Sequence, residues 1–347
     1  MSHWVRWAAI AFAAIAVCWY FVTGDSPENT APVTTGTQDA HANSGDAPPQ
    51  IPAMTIEVVA KADWRSSVDP VLLQLFDPPD FELRIAEYPE MTGTWRTTSA
   101  VLTPRAEAGD AEAQYLLSRA AHRCFHGPRT LEELEAALAR AGGYDGPYHL
   151  KPDVALAQAQ LRATYEFCAG STRDETAQAI DWVIEAADAG NIRAQIAYAE
   201  FSFPGDEQIR FPYDEKEVAI IVERRERSLA YLERARATGS VDAMVKLFGI
   251  HLGHADDAYN RSIDPTLRDP GSAAAREHRK AALVNLYAPA WFRLRSSAPD
   301  DRDAANALRI IQRLGAQMSA HEYQEAIEAG RAILGSENCC VKFRDIK

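Results

Sequence analysis

The chain has 347 residues, of which 47% are hydrophobic and 24% charged, the balance of a folded protein and not of a disordered one. With 36 Lys+Arg against 49 Asp+Glu its formal charge is −13. Such a field repels phosphate backbones and anionic lipid, which argues against nucleic-acid binding and against adsorption to membrane surfaces. Alanine is abundant and no run of alternating β-branched residues stands out, so helices are expected throughout.

The first element is apolar. Residues 7–22, WAAIAFAAIAVCWYFV, carry no charge and sit at the short end of the roughly 17–25 residues that cross a bilayer. Trp4 and Trp7 mark one end and Trp19 and Tyr20 the other, like an interfacial aromatic belt. Arg6 precedes the span, while Asp25, Glu28, Asp39 and Asp46 follow it. The positive-inside rule then keeps the N-terminus in the cytoplasm and exports the rest. The expectation is an anchor over 1–23, a single pass through an inner membrane with the body in the periplasm. The alternative is a signal peptide cleaved near Ala14-Ile15-Ala16, which would release the body into the periplasm.

Residues 24–54 are rich in Pro, Gly, Ser, Thr, Asn and Asp and read as a disordered linker, with an end-to-end distance on the order of 30 Å. From 55 to 102 the pattern is irregular. Asp69-Pro70 looks like an N-cap with Pro at the first helical position, and Pro78-Pro79 ends that short helix. This segment is expected to cap the helical domain that occupies 103–347.

After Thr103-Pro104 helical signals become dense. Thr130 with Glu133, Thr172 with Glu175 and Ser319 with Glu322 match the capping box. Gly142-Gly143 and Gly335 stand where a helix end favours a left-handed residue. Pro152-Asp153 opens a helix that closes near Cys168-Ala169-Gly170. Amphipathic runs cover about 215–238, 241–252, 272–287 and 301–315, and short connections imply antiparallel neighbours.

Three stretches align: AEAGDAEAQYLL at 106–117, ADAGNIRAQIAY at 187–198 and RATGSVDAMVKL at 236–247. Each has a glycine (Gly109, Gly190, Gly239) and an alanine four residues later (Ala113, Ala194, Ala243). The glycine allows a positive-φ turn, and the alanine lies one turn into the next helix, where a small side chain lets helices cross closely. Gly109 to Gly190 is 81 residues and Gly190 to Gly239 is 49. The longer gap reads as one repeat with an insertion or as nearly two repeats. NLYAPAWFRL at 285–294 reads as a degenerate fourth copy, with Ala288 in the glycine's place and Pro289 starting the helix.

At these residues the sequence resembles the Sel-one-like repeat family, relatives of the tetratricopeptide repeats. Its A-x-A-G-[DN]-x-x-A turn is nearly intact at 106–113 and 187–194, and LFGIHLGH (247–254) is similar to its L-G-x-x-Y-x-x-G turn. The long helix 215–238 and the insert 127–151 are not typical of it, and AIDWVIEAAD (179–188) matches its Lys-Ala…Trp segment only in part. The resemblance implies an all-α fold, an α-solenoid of antiparallel helix pairs whose concave face binds proteins or peptides. It transfers no catalytic residue.

The chain has 5 Cys, with Cys18 inside the apolar span. Cys124 lies near the end of the helix expected from Pro104, and Cys168 near the end of the helix from Pro152. One helix separates them, so an up-down-up arrangement puts both on one side, and a Cys124–Cys168 disulfide is expected, the alternative being two buried free thiols. Cys339-Cys340 reads as a vicinal disulfide, an intermolecular pair, a metal contact or two inert thiols.

His122 and His126, one helical turn apart, form the nearest approach to a metal site, but Cys124 lies about 200° round that helix from His122 and no H-E-x-x-H signature is present. His251 and His254, followed by Asp256 and Asp257, make a second pair. Trp182, Tyr198, Phe201, Tyr231 and Trp291 read as inter-helix core with some available to line a groove. No phosphate-cradling loop or nucleophile elbow occurs, so no catalytic, metal-binding or cofactor-binding residue and no cofactor is expected. The reading is a membrane-tethered scaffold or adaptor that binds a protein or peptide partner of basic character, and no nucleic acid. Its rival is a metal-assisted hydrolase of the cell envelope using His122 and His126.

Overall fold

The computed structural model describes residues 55–59, 81–89, 93–142, 154–206, 213–256, 271–296 and 302–346, with single positions between them. The apolar segment 7–22, the linker 24–54 and, beyond Pro70, the short helix expected to end at Pro78-Pro79 lie outside the described residues. Among the described residues no helix is long and apolar enough to cross a membrane. The described chain is mostly helical and divides into two compact units, one formed by Pro89–Tyr231 and one by Met54–Tyr88 with Leu232–Asp345.

In the first unit α1 (Trp95–Glu107), α2 (Ala111–His126), α3 (Leu131–Gly142), α4 (Val154–Cys168), α5 (Arg173–Ile180), α6 (Trp182–Asp188) and α7 (Ile192–Tyr198) follow one another, and α8 (Glu215–Ala237) begins. The centre is α2, which packs on α1, α5 and α6 and buries Tyr115, Leu117, Ala120, Ala121 and Cys124. Reciprocal capping boxes start α5 at Thr172 and Glu175 and α3 at Thr130 and Glu133. Helix α1 is capped by Thr94, whose hydroxyl accepts the Thr97 N–H while the Thr97 hydroxyl accepts the Thr94 N–H. Pro104 therefore does not open a helix as the sequence suggested; it sits inside α1. The bond it cannot donate is lost on an exposed face, since Ala100 and Pro104 both face solvent and water can serve the freed carbonyl. The expected boundary between residues 102 and 103 thus falls in the middle of one helix.

The second unit contains the end of α8, α9 (Val241–Asp256), α10 (Ala273–Ser296), α11 (Arg302–Gly315) and α12 (Ala320–Leu334), started by the Ser319–Glu322 capping box. Helix α10 packs against α9, α11 and α12. No turn interrupts it at Ala288-Pro289, so the fourth copy read from the sequence is not present. Leu283, Leu286, Tyr287, Ala288, Ala290, Trp291 and Phe292 are all buried. From Ala282 to Phe292 this unbroken helix is buried on nearly every side, so it can satisfy neighbours on three sides, and this packing outweighs the missing proline bond. Gly142 and Gly335 also depart from expectation: Gly142 is the last residue of α3, and Gly335 caps α12 at φ −85°.

The expectation of helices throughout is corrected by a small sheet in this unit. Strands β1 (Thr55–Val59), β2 (Leu83–Pro89) and β3 (Val341–Ile346) lie in the order β1-β2-β3. β1 and β2 are antiparallel, with Thr55 opposite Glu87 and Val59 opposite Leu83. Just before β3, Cys340 donates its N–H to the Glu82 carbonyl and accepts from the Arg84 N–H, both at 3.0 Å, the bonding of a parallel pair.

Gly330 of α12 lies against Tyr287 of α10, and a Cβ there would come within 2.6 Å of the Tyr287 Cβ. Gly330→Ala is expected to lower stability by about 1–3 kcal/mol through overpacking, although alanine is the better helix former by about 1 kcal/mol. Urea denaturation of the two proteins checks this; an unchanged or raised midpoint would contradict the close crossing.

Candidate functional site

The three glycines of the aligned segments build the same turn. Their φ angles are +85° at Gly109, +92° at Gly190 and +84° at Gly239. In each, the glycine N–H reaches the carbonyl three residues back, at Ala106, Ala187 and Arg236, at 2.8–3.1 Å. The following N–H reaches the carbonyl five back, at Arg105, Ala186 and Ala235, at 2.9–3.4 Å. That pair of bonds is the Schellman closure of a helix end. The same following residue is the N-cap of the next helix. Asp110, Asn191 and Ser240 accept the N–H of Ala113, Ala194 and Ala243 at 3.1, 3.0 and 3.2 Å. All three alanines are fully buried. Burial works to raise the Asp110 carboxyl, but the Ala113 amide and the Arg105 guanidinium outweigh it and hold it below its ordinary value.

Two further residues belong to this turn and are not evident from a search for small and turn-forming side chains. Gln114 and Gln195 follow the buried alanines, are themselves buried, and donate from Nε2 to the carbonyls of Ala106 and Ala187, each at 3.1 Å. The signal is visible in retrospect as an identical Ala-Gln pair at 113–114 and 194–195. Met244 stands at the corresponding place after Ala243 and cannot make this bond.

The turns at Gly109 and Gly190 lie beside each other. Glu112, in the first turn of α2, accepts from Asn191 Nδ2 at 2.8 Å and pairs with Arg193 Nη1 at 3.2 Å. Arg193 also covers the Tyr115 ring, 4.5 Å from its centroid. The two turns, 81 residues apart in sequence, are thus neighbours in space. Between them in sequence lies the α3–α4 hairpin, tied at its base: Cys124, near the end of α2, and Cys168, at the end of α4, form a buried disulfide with Cα atoms 5.2 Å apart.

The third turn has a cover of its own. A Cβ on Gly239 would land on the Asn338 carbonyl, whereas nothing lies within 4 Å of one on Gly109 or Gly190. Val341 N–H donates to the Gly239 carbonyl at 2.9 Å, and Phe343 N–H to Asp242 Oδ2 at 2.7 Å. Cys339 and Cys340, buried beside this turn, are joined as a vicinal disulfide.

The histidines are held by local contacts. His122 Nε2 accepts the Ser202 N–H at 3.2 Å, and the ring stacks on Phe201 at 4.2 Å; His126 Nε2 lies 3.5 Å from the Ser202 carbonyl. Burial, with His126 and Arg119 nearby, pushes His122 down to about 4. In the other unit His251 and His254 are joined by His278 of α10, which local spacing does not reveal. The Nδ1 atoms of His251 and His278 are 3.0 Å apart, and the rings of His254 and His278 meet edge to face at 4.7 Å. Burial, then His278 and Arg236, push His251 down to about 4. Asp257 lies outside the described residues, as does the side chain of Asp256. Among the described residues no group of three or more His, Cys, Asp or Glu is placed to hold a metal ion.

Tyr198, Tyr231 and Trp291 are buried, and Trp182 and Phe201 pack partly buried on the first unit's core. Tyr231 donates to Asp188 Oδ1 at 2.9 Å and meets Tyr198 edge to face. An open cleft of about 360 Å³ runs between α1 and the start of α5, with Arg96 and Glu175 on its walls. No family profile, curated protein or solved structure matches the chain significantly.

Two consequences are measurable. Gly109→Ala and Gly190→Ala should each cost about 1–2 kcal/mol, the price of a left-handed alanine, while Gly239→Ala should cost clearly more because the Asn338 backbone must also move; equal losses in urea denaturation would contradict the covered turn. His122 stays neutral in the folded chain while the unfolded chain protonates near 6.5. Its contribution is therefore fully present above about pH 6.5 and is lost as the pH falls towards 4. His122→Gln should reduce the loss of stability between pH 7 and pH 4 by on the order of 1–2 kcal/mol, allowing for partial solvent screening; an unchanged pH slope would contradict the assignment.

Proposed function

We propose that the chain is an extracytoplasmic, membrane-tethered α-solenoid of stacked antiparallel helix pairs, a divergent relative of the Sel-one-like repeats, acting as a protein-binding scaffold. The observation that carries this reading is the Glu112 bridge to Asn191 and Arg193. It sets two turns of the same construction side by side, as stacking of successive helix pairs requires. The buried Cys124–Cys168 disulfide suits an oxidising compartment, and the apolar, aromatic-flanked segment 7–22 supports a tether. A net charge of −13 favours a partner of basic character.

The rival reading, a metal-assisted hydrolase built on His122 and His126, has less support. Both Nε2 atoms are engaged with the backbone of Ser202, one accepting its N–H and the other beside its carbonyl, so a metal bound through Nε2 would displace those contacts.

Full-length protein solubilised from envelope membranes in detergent tests the scaffold. It is expected to co-purify with a protein partner in constant proportion at low salt and to lose it progressively as salt screens the charges. Recovery of no partner at any salt concentration would sink the proposal. Elemental analysis of the same preparation addresses the rival, which requires about one metal ion per chain.

A further inference from the structure

We propose that Cys339-Cys340 is a redox-sensitive latch that holds the C-terminal strand over the Gly239 turn. The proposal goes beyond the scaffold reading and does not depend on it.

The third turn lacks a closure that the first two have. At the first two turns a buried glutamine closes the helix end from within, Gln114 onto Ala106 and Gln195 onto Ala187. Met244 has no such donor. The segment from Asn338 to Phe343 supplies the closure from outside. Asn338 Nδ2 approaches the Ala237 carbonyl at 3.4 Å, Val341 N–H reaches the Gly239 carbonyl, and Phe343 N–H reaches Asp242. The same segment is fastened on its other side to β2, through the two Cys340 backbone bonds and through Arg84 Nη2, which donates to the Asn338 carbonyl at 2.6 Å. The two cysteines sit between these attachments. Their sulfur–sulfur bond closes a ring through their own peptide, which removes torsional freedom from the residues that must hold both sides.

Reduction opens that ring. The thiolate of a dithiol reductant attacks one sulfur, the sulfur–sulfur bond breaks, and the other cysteine leaves as thiolate. The reductant's second thiol then displaces the protein sulfur from the mixed disulfide. Two electrons and two protons pass to the pair, which ends as two thiols, and the reductant ends as its own disulfide. Two thiols need more room than a bonded pair, and both side chains are buried, so the sulfurs must separate and the backbone between them regains its torsional freedom. The strand loosens and the Gly239 turn loses its cover.

Hydrogen exchange read by mass spectrometry on the full chain, with and without a small dithiol, tests the latch, with thiol alkylation reporting each cysteine. The oxidised protein should carry no alkylatable thiol at 339 or 340. On reduction, exchange over 82–84 and 341–343 should accelerate by about tenfold or more. Cys339→Ser/Cys340→Ser without reductant should show the same acceleration there while 111–126 keeps its protection, which separates the latch from reduction of Cys124–Cys168. Free thiols at 339 and 340 in protein purified from an oxidising compartment would overturn the proposal. So would resistance of the pair to reduction in the folded protein, or unchanged exchange after complete reduction.

Discussion

A helix that ends on a positive-φ glycine and restarts at the next residue leaves no slack in the chain, and both units are organised around such turns. The last carbonyls of one helix and the first amides of the next need partners within the same few residues. At Gly109 and Gly190 the glycine and the following amide take two carbonyls, the side chain of that following residue takes an amide, and the glutamine takes one carbonyl more. With these polar groups satisfied locally, Ala113 and Ala194 can be buried completely and the helices can approach closely. A longer side chain at either alanine would crowd this crossing, whereas a β-carbon on either glycine would meet nothing within 4 Å and strain only the left-handed backbone.

The same local closure accommodates the α3–α4 hairpin between two neighbouring turns of the first unit. The contacts of Glu112 with Asn191 and Arg193 join helix starts about 80 residues apart, and the α3–α4 hairpin is accommodated without disturbing them. The helix ends that bound it carry Cys124 and Cys168, and each has an aromatic neighbour, Phe125 or Phe167, covered by an arginine. The hairpin is anchored by packing and by a covalent bond at its base.

What was legible in the sequence was chemistry that acts within a few residues. The capping boxes at Thr130, Thr172 and Ser319, the glycine turns and the cysteine-bearing helix ends all depend on neighbours along the chain. The misread positions depend on neighbours across it. Pro104 and Pro289 look like helix starts until one sees the solvent-exposed face of α1 and the encirclement of α10. Strand β2 finds one partner only near the other end of the chain, through Cys340, and His278 meets His251 only because α9 and α10 pack together. Gln114 and Gln195 were visible but belonged to no expected pattern, because a buried polar residue is recognised by the carbonyl it reaches.

The Cys124–Cys168 bond also sets a path for mechanical load. Tension on the backbone that enters through α2 can cross between the sulfurs and leave toward α5, bypassing the hairpin. The 44-residue separation between the cysteines adds nothing to the extensible length of the chain while the bond is intact. Held at one end and pulled at the other, the first unit would yield in its helices before the hairpin bore any force.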